Sequence, residues 1–587
     1  MKRKVSNGGT TFWLQQFDVV SDIDVKPGVK SVLFTESGLK MAGSKSPNIF
    51  FQLKNVKKQF PDVEQLVIDT TIGYGRLELS NFMFPNVRRI ISTNMWYESG
   101  PLLVQSSYRN GHRHLLNTFR QAEDSVLDLK GITSVHPYAF SGCLAKQMTN
   151  TQKITWIDEH AFSGSAFLLV NTPCLVGTLL VAIDPNAKEV CISSNTTAVA
   201  RDIDFAGKRI ILQDYQQVSL LSPKQCMEVS SLFVHKICHQ DFRSRQVTAP
   251  GLEVSADNPW YSSLDGILYT KDKRKLVYCP AGKTGTVVLP EGLIEILPNA
   301  FQGSNVEAIQ FPDSLDIIRA GAFQQCMSLK RIKFGQHLKT IEESCFSRCD
   351  SLMEVEIPPS VQFIGQYAFY ASGLEDVIFH NGMQYIENNA FCSCHIHEVQ
   401  LPGSVQRIGA KAFYGVASVL TERYIPGLVQ ALCIEANTTS ECYPIRLQIG
   451  EAVTYLASGI GGSMLHALDF YLSTCQDAES IHKTYEYAPS TWKGSLSGKI
   501  AIALDIYKET QDKTVAGYLK RVGKTVVEGL AKSSKEQELI QFMQYGFLPK
   551  ATLQAALKAA EQAQLAIAAA YALQELNKTK KTPGLKL

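Results

Sequence analysis

Nothing in this 587-residue sequence reaches the roughly 18 consecutive apolar residues that a membrane helix requires. An apolar run of signal-peptide length is missing as well: residues 1–4 are basic, but residues 5–11 are polar and glycine-rich. An excess of charge is also absent. Lys and Arg number 58 against 55 Asp and Glu, a formal net charge of +3, which leaves no broad electrostatic footprint for nucleic acid. The 14 cysteines are scattered, without the regular pairing of a disulfide framework. Sequons at Asn195, Asn437 and Asn577 matter only in an exported chain. The expected compartment is the cytoplasm.

What the sequence has is a period. Ala300-Phe301, Ala322-Phe323, Cys345-Phe346, Ala368-Phe369, Ala390-Phe391 and Ala412-Phe413 follow one another at steps of 22, 23, 23, 22 and 22 residues. A second column keeps the same step: Leu289, Phe311, Phe334, Ile357, Phe379 and Leu401. A repeat of roughly 20 to 29 residues with apolar columns is the leucine-rich type of solenoid, with one short strand and one turn per coil. Ile309, Ile332, Val355, Val377 and Val399 then point inward from the strand, and their sequence neighbours point outward. The phenylalanine fills the return side, and the small residue before it lets the backbone close over the ring. One coil cannot bury its own apolar face; stacking at roughly 4.8 Å per strand makes one continuous core. Cys143, Cys326, Cys349 and Cys394 stand three residues after the repeat phenylalanine, in a slot held elsewhere by Ser165, Ser304, Ser372 and Val416. A slot shared by Cys, Ser and Val takes small packed side chains, so these thiols read as buried and reduced. That usage fits a reducing compartment.

Along the chain, residues 1–10 are expected to be a flexible terminus and 11–131 divergent repeats, in which residues 60–68 and 84–91 are near copies. Residues 132–257 are partly degenerate repeats. There 132–143 is echoed by 154–165, and the phase is lost over 166–248, where 190–192, 210–212 and 218–220 remain strand-like. Within 258–286, Asp265-Gly266 signals a tight turn, and Ile267-Leu268-Tyr269 against Leu276-Val277-Tyr278 signals a β-hairpin insert. Residues 287–416 are the regular 22–23-residue repeats. Helical periodicity takes over in 417–577, beginning with Leu428, Ala431 and Leu432. Its Ala-rich end over 552–576 predicts an antiparallel helical pair, and 578–587 a disordered tail. The fold class is an α+β repeat protein: a leucine-rich-repeat solenoid of short parallel strands with a β-hairpin insert, followed by an α-helical C-terminal domain.

The phrases Ile341-Glu-Glu-Ser-Cys-Phe-Ser-Arg-Cys-Asp-Ser-Leu352 and Ile386-Glu-Asn-Asn-Ala-Phe-Cys-Ser-Cys394 resemble the BspA-like leucine-rich repeat family. The insert over 258–280 is similar to a segment that family commonly carries before its Leu-Pro-Glu-Gly coil, here residues 289–292. The resemblance is closest over 258–416 and extends to 100–165. The end of the chain, 499–578, resembles the helical, distantly ankyrin-like tail of some bacterial members. Many members are secreted or surface-attached adhesins, whereas this sequence displays no signal or wall anchor. The resemblance implies the solenoid fold and supplies no shared catalytic residues.

The outward strand positions are Ala308 and Gln310, Arg331 and Lys333, Glu354 and Glu356, Asp376 and Ile378, and Glu398 and Gln400. A basic rung followed by three acid-bearing rungs suits a partner of complementary charge. A plain solvated sheet would instead pair Arg331 and Lys333 with Glu354 and Glu356 next door. The candidate partner-binding residues are Arg331, Lys333, Glu354, Glu356, Asp376, Ile378, Glu398 and Gln400.

Other motifs carry less. Cys392-Ser-Cys394-His395-Ile-His397 has the residue types of a metal site, but strand alternation splits its ligands between faces, and no second pair stands at zinc spacing. Residues 494–499 are one residue short of a phosphate loop, with Ile500 where Ser or Thr must hold magnesium, so a helix start is the better reading. Gly459-Ile-Gly461-Gly462 lacks a third properly spaced glycine and reads as following helical sequence. His114, His136 and His160 have no serine elbow or oxyanion pattern near them. Lys520, Arg521, Lys524, Lys532 and Lys535 interleave with Glu528, Glu536 and Glu538, as on a solvated helix face. The expectation is a non-catalytic protein-interaction scaffold without metal, cofactor or nucleic acid. The alternatives are an adhesin-like surface protein exported without a recognisable signal, and a nucleotide-binding or enzymatic helical domain.

Overall fold

The computed structural model describes residues 3–15, 19–36, 49–80, 82–107, 110–169, 174–237, 247–435, 443–482, 484 and 495–578. The chain divides into two compact units, residues 1–271 with 280–283, and residues 272–279 with 284–587.

In the second unit each coil carries two strands where the period alone suggested one. The outward strands are Thr284–Val288, Asn305–Gln310, Arg331–Lys333, Glu354–Ile357, Asp376–Phe379 and Glu398–Leu401, bonded in three sets: the first three, the next two, and the last with the strands that follow it. A second ladder joins Glu295–Ile296, Ile317–Ile318, Thr340–Ile341, Phe363–Ile364, Tyr385–Ile386 and Arg407–Ile408, all parallel. Its isoleucines are buried and share the repeat period.

The ring of each Ala-Phe pair lies on the ring of the next coil. Phe301, Phe323, Phe346, Phe369, Phe391 and Phe413 form one stack with centroid separations of 4.6, 5.0, 5.1, 5.0 and 5.2 Å and interplanar angles of 18° or less. The second apolar column meets the stack edge-on, as Phe379 does against Phe391 at 5.6 Å and 85°. Two positions per coil are left-handed, the residues two before and two after the phenylalanine. At Ala371, Arg348 and Gln325 this conformation costs a non-glycine residue about 1–2 kcal/mol. Hydrogen bonds between coils hold it there: the N–H of Phe346 donates to Ala368 and that of Phe369 to Ala390, at 2.6 and 2.7 Å. The slot three residues after the ring is more than small. The thiols of Cys326, Cys349 and Cys394 donate to the carbonyls of Phe301, Phe323 and Phe369 one coil back, at 3.0, 3.2 and 3.1 Å. Burial pushes the Cys394 thiol up to about 11.

The coils do not stop at Val416. Ser418–Thr421 pairs in parallel with Glu398–Leu401 and with Pro444–Ile449, and the ladder closes antiparallel on Ala452–Ala457. The helical span expected over 417–577 therefore begins only at Gly462; Leu428–Leu432 is one helical turn on the return side of a coil. Alternation in Ile445, Leu447 and Ile449, all buried, is what keeps this segment in the sheet. Asp469 on the helix Gly462–Thr474 ties the two regions. It accepts the Tyr424 hydroxyl at 2.5 Å and the N–H groups of Gly427 and Val429 at 3.2 Å.

The helices that follow are Leu496–Thr510, Lys513–Lys532, Glu536–Gln544, Lys550–Gln562 and Ala566–Lys578. The pair expected over 552–576 is Lys550–Gln562 packed against Ala566–Lys578, and a further layer lies on it, Lys513–Lys532 against Lys550–Gln562 and Glu536–Gln544 against Ala566–Lys578. Glu536 caps the last helix by accepting from Ile567 and Ala568 at 2.9 and 3.1 Å. Lys578 belongs to this helix, and the rest of the expected tail, 579–587, lies outside the described residues.

In the first unit, Arg3–Asn7 pairs antiparallel with Thr10–Leu14, so the terminus expected to be untied is a strand. Gly8 and Gly9, read as loop composition, are its two-residue turn, both at positive φ. Ser31–Phe34, Gln65–Ile68 and Arg89–Ser92 then stack in parallel. The 166–248 region keeps its coils despite the lost phase: Glu189–Ile192, Arg209–Asp214, Ser231–Lys236 and Leu252–Val254 form one parallel ladder. The strand expected at 218–220 is part of a 3-10 helix, Tyr215–Leu220, whose first turn is held by the Asp214 side chain. Asp265 and Gly266, at φ 50° and 74°, make the tight turn between Tyr261–Leu264 and Ile267–Thr270, paired antiparallel. Lys275–Tyr278 belongs to the second unit and pairs in parallel with Glu295–Ile296.

Candidate protein-binding face

Val287, Ile309, Val355, Val377 and Val399 of the outward strands are buried and Ile332 is half-buried, and strand alternation turns their neighbours outward, with Ala308 itself buried. Two columns result. One runs Thr286, Ala308, Arg331 and then Glu354, Asp376; the other runs Val288, Gln310, Lys333 and then Glu356, Ile378. The surface they make is concave. An open concavity of about 630 Å³ is lined by the first column from Thr286 to Asp376 and by the second from Gln310 to Ile378. A second, of about 480 Å³, continues from Ile378 over Gln400, Leu420 and Gln448.

Of the eight residues expected to bind a partner, Arg331, Lys333, Glu354, Glu356, Asp376 and Ile378 line the first concavity. Ile378 and Gln400 line the second, and Glu398 lines neither. Thr286, Leu420 and Gln448 were not anticipated. The last two lie where helices were expected, although Ser418-Val-Leu-Thr421 and the alternation at Ile445, Leu447 and Ile449 carry a strand signal.

The charge pairing expected on this face does not form. Arg331, Lys333, Glu354, Asp376 and Glu398 make no side-chain hydrogen bond or ion pair with any described residue. Glu356 meets His380 at 2.8 Å. The reason lies in the backbone: Arg331–Lys333 pairs with Asn305–Gln310 and Glu354–Ile357 with Asp376–Phe379, but among the described residues no ladder joins Arg331–Lys333 to Glu354–Ile357. A second break, between Asp376–Phe379 and Glu398–Leu401, follows a step of 22 residues; the first falls between the 23-residue steps from Phe323 to Phe346 and to Phe369. This first break separates the basic rung from the acidic ones.

On the second ladder the opposite holds. Lys275, Glu295, Arg319 and Glu342 form a continuous ion-pair chain with separations of 2.7, 2.6 and 2.7 Å. Burial works to raise the Glu295 carboxyl, but hydrogen bonds from Lys275 and Arg319 outweigh it and hold the pKa below the ordinary value. From Lys275 to Glu342 the second ladder thus neutralises its charges, whereas Arg331, Lys333, Glu354 and Asp376 on the outward face stay open.

The remaining motifs are engaged structurally. Cys394 is committed to Phe369 and to Ser372 at 3.3 Å. Ser495 caps the helix Leu496–Thr510 by accepting from Gly498, a helix start as expected. The glycines at 459–462 follow the strand Ala452–Ala457, not helical sequence, and open the helix Gly462–Thr474. A Cβ on Gly462 would lie 2.6 Å from Glu435 Oε1, so a carboxylate already stands at that helix start, where an anionic ligand would be repelled. In the first unit, His114 lies 6.3 Å from His112 and 5.6 Å from His136, ring to ring. Burial lowers the pKa of both His114 and His136; neighbouring imidazoles add to this at His114, while Asp158 opposes it at each. His160 lies 3.5 Å from Asp202. Lys524 faces Glu528 at 3.9 Å and Lys535 faces Glu538 at 3.0 Å on the helices.

Parallel strands stacked coil on coil, with one charged face left open, define the class of the fold: a β-solenoid. More narrowly, residues 117–179 and 287–420 match the BspA type leucine rich repeat region in six copies, and these repeats are of that type. The chain is similar to the pneumococcal vaccine antigen PcpA, at 14% identity over 74% of this chain and 90% of that one, with a TM-score of 0.26. It is similar to a leucine rich cell surface protein of Faecalibacterium prausnitzii, at 15% identity over 74% and 98%, TM-score 0.26. It is also similar to a Treponema pallidum leucine-rich repeat protein, at 27% identity over 31% and 80%, TM-score 0.21. Among curated proteins none matches.

Proposed function

We propose that this protein is a non-catalytic interaction scaffold that holds a protein partner on the outward strand face of its second unit. One observation carries the reading: the concave face keeps Arg331, Lys333, Glu354 and Asp376 unpaired among the described residues, while Lys275, Glu295, Arg319 and Glu342 along the second ladder pair with one another. Open charges on a rigid surface give specificity and association rate to whatever complements them. The described cysteines are free thiols, mostly buried, which suits a reducing compartment.

The test is capture. The wild-type chain is used as bait in native lysate and the retained protein is identified. The bait is then compared with Glu354→Lys/Glu356→Lys/Asp376→Lys and with Lys558→Glu on the helical end. The triple variant is expected to lose the partner and Lys558→Glu to keep it. Undiminished capture by the triple variant would place the site elsewhere.

A further inference from the structure

The face has a polarity that restricts what can lie on it. Along the outward strands the rungs run from apolar and neutral (Thr286, Val288, Ala308, Gln310) to basic (Arg331, Lys333), then acidic (Glu354, Glu356), then acidic and apolar (Asp376, Ile378). Ile378 is 55% exposed at the far end and leads into the second concavity, whose floor holds Phe379 and Leu401. From Arg331 and Lys333 to Asp376 and Ile378 is two steps of roughly 4.8 Å, about 10 Å, the reach of about three extended residues. A helix presents its side chains at a rise of about 1.5 Å per residue and so projects charges in several directions over that distance. An extended segment turns every second side chain to the surface, one for each rung or two.

We infer that the occupant is an extended peptide segment of the partner that carries an acidic residue over Arg331 and Lys333, a basic residue over Glu354, Glu356 and Asp376, and an apolar residue over Ile378. This rests on the reading of the outward face as the binding surface. Charge complementarity selects this occupant over a nucleic acid strand. A polyanion would satisfy only the basic rung and would meet carboxylates on the next two.

The test uses the full chain and short fluorescent peptides read by anisotropy at low and moderate salt. The probe is Gly-Glu-Ser-Lys-Ser-Leu-Gly, with its reverse-order twin because either chain direction is compatible with the rungs. The control exchanges every Glu and Lys. One probe direction is expected to bind about tenfold or more tightly than its charge-exchanged form, with the preference shrinking as salt rises. Protein with Arg331→Glu/Lys333→Glu/Glu354→Lys/Asp376→Lys is expected to invert the preference. Should that variant fail to fold by circular dichroism, Arg331→Glu/Lys333→Glu and Glu354→Lys/Asp376→Lys are each expected to weaken the probe alone. Equal binding of probe and control, or a preference that no variant changes, would overturn the proposed occupant. So would binding of a single-stranded oligonucleotide in place of the peptides. If the peptides fail while the charge-reversed bait still loses its native partner, the occupant is wrong and the face stands. If capture is also unchanged, both fall.

Discussion

Glu354 and Asp376 are register partners on adjacent parallel strands, two carboxylates side by side on an open surface with no cation set between them. Like charges directly opposite on a sheet work against folding. Asp376→Asn is therefore expected to raise the urea midpoint of the second unit while weakening partner capture about tenfold. A lowered midpoint would mean that the carboxylate has an intramolecular role and would remove the main support for the site.

The phenylalanine stack is the largest repeated element of the core, and Phe369 sits in its middle, 5.1 Å from Phe346 and 5.0 Å from Phe391. Phe369→Ala is expected to cost about 3–5 kcal/mol, because the cavity opens between rings that the backbone ladder holds apart. Chemical denaturation checks this. A cost below about 1 kcal/mol would show that neighbouring coils can collapse onto the gap.

Ala371 adopts φ 53° without being glycine. Ala371→Gly is expected to stabilise by about 1 kcal/mol, since relief of the left-handed strain exceeds the added entropy of the unfolded chain. Differential scanning calorimetry on the variant gives the sign directly. Destabilisation would show that contacts of the methyl group outweigh the strain.

Acid should weaken the first unit. Burial lowers the pKa of His114 and His136 in the folded chain, so the neutral rings contribute stability that is fully present above the ordinary histidine value of 6.5. That stability is lost as pH falls below 6.5 and through the depressed values. The groups facing them are His112, Asp158 and Glu78, and the two carboxylates moderate the effect. Unfolding followed between pH 7.5 and 5 should show this loss in the wild-type chain and a flatter profile in His114→Gln/His136→Gln. Identical profiles would contradict it.

Much of this architecture was legible because the ring stack needs the same residue at each coil. Phe301 through Phe413 announce the array, and the alternation around Val355, Val377 and Val399 separates buried from outward positions, whereas Ile332 is half-buried and the expected outward Ala308 is buried. Other parts were hidden for physical reasons. The second ladder uses strands of two residues, too short for alternation to show. Between 166 and 248 the return side is built from Tyr215–Leu220 and the helix Pro223–Glu228 instead of an Ala-Phe turn, so the phrase vanishes while the strands persist. Gly8-Gly9 reads as loose sequence but closes a hairpin. At the candidate site, which side chains face out was legible. The failure of Arg331 and Lys333 to pair with Glu354 was not, because it depends on hydrogen bonds between coils that no single coil encodes.

The central claim concerns open carboxylates, and carbodiimide-driven labelling read by mass spectrometry measures them directly. In the free protein, Glu354, Asp376 and Glu398 are expected to be labelled readily and the ion-paired Glu295 only slowly. With the captured partner bound, Glu354 and Asp376 should lose most of their labelling while exposed carboxylates of the helical end, such as Glu561, keep theirs. Unchanged labelling of Glu354 and Asp376 in the complex would contradict the account.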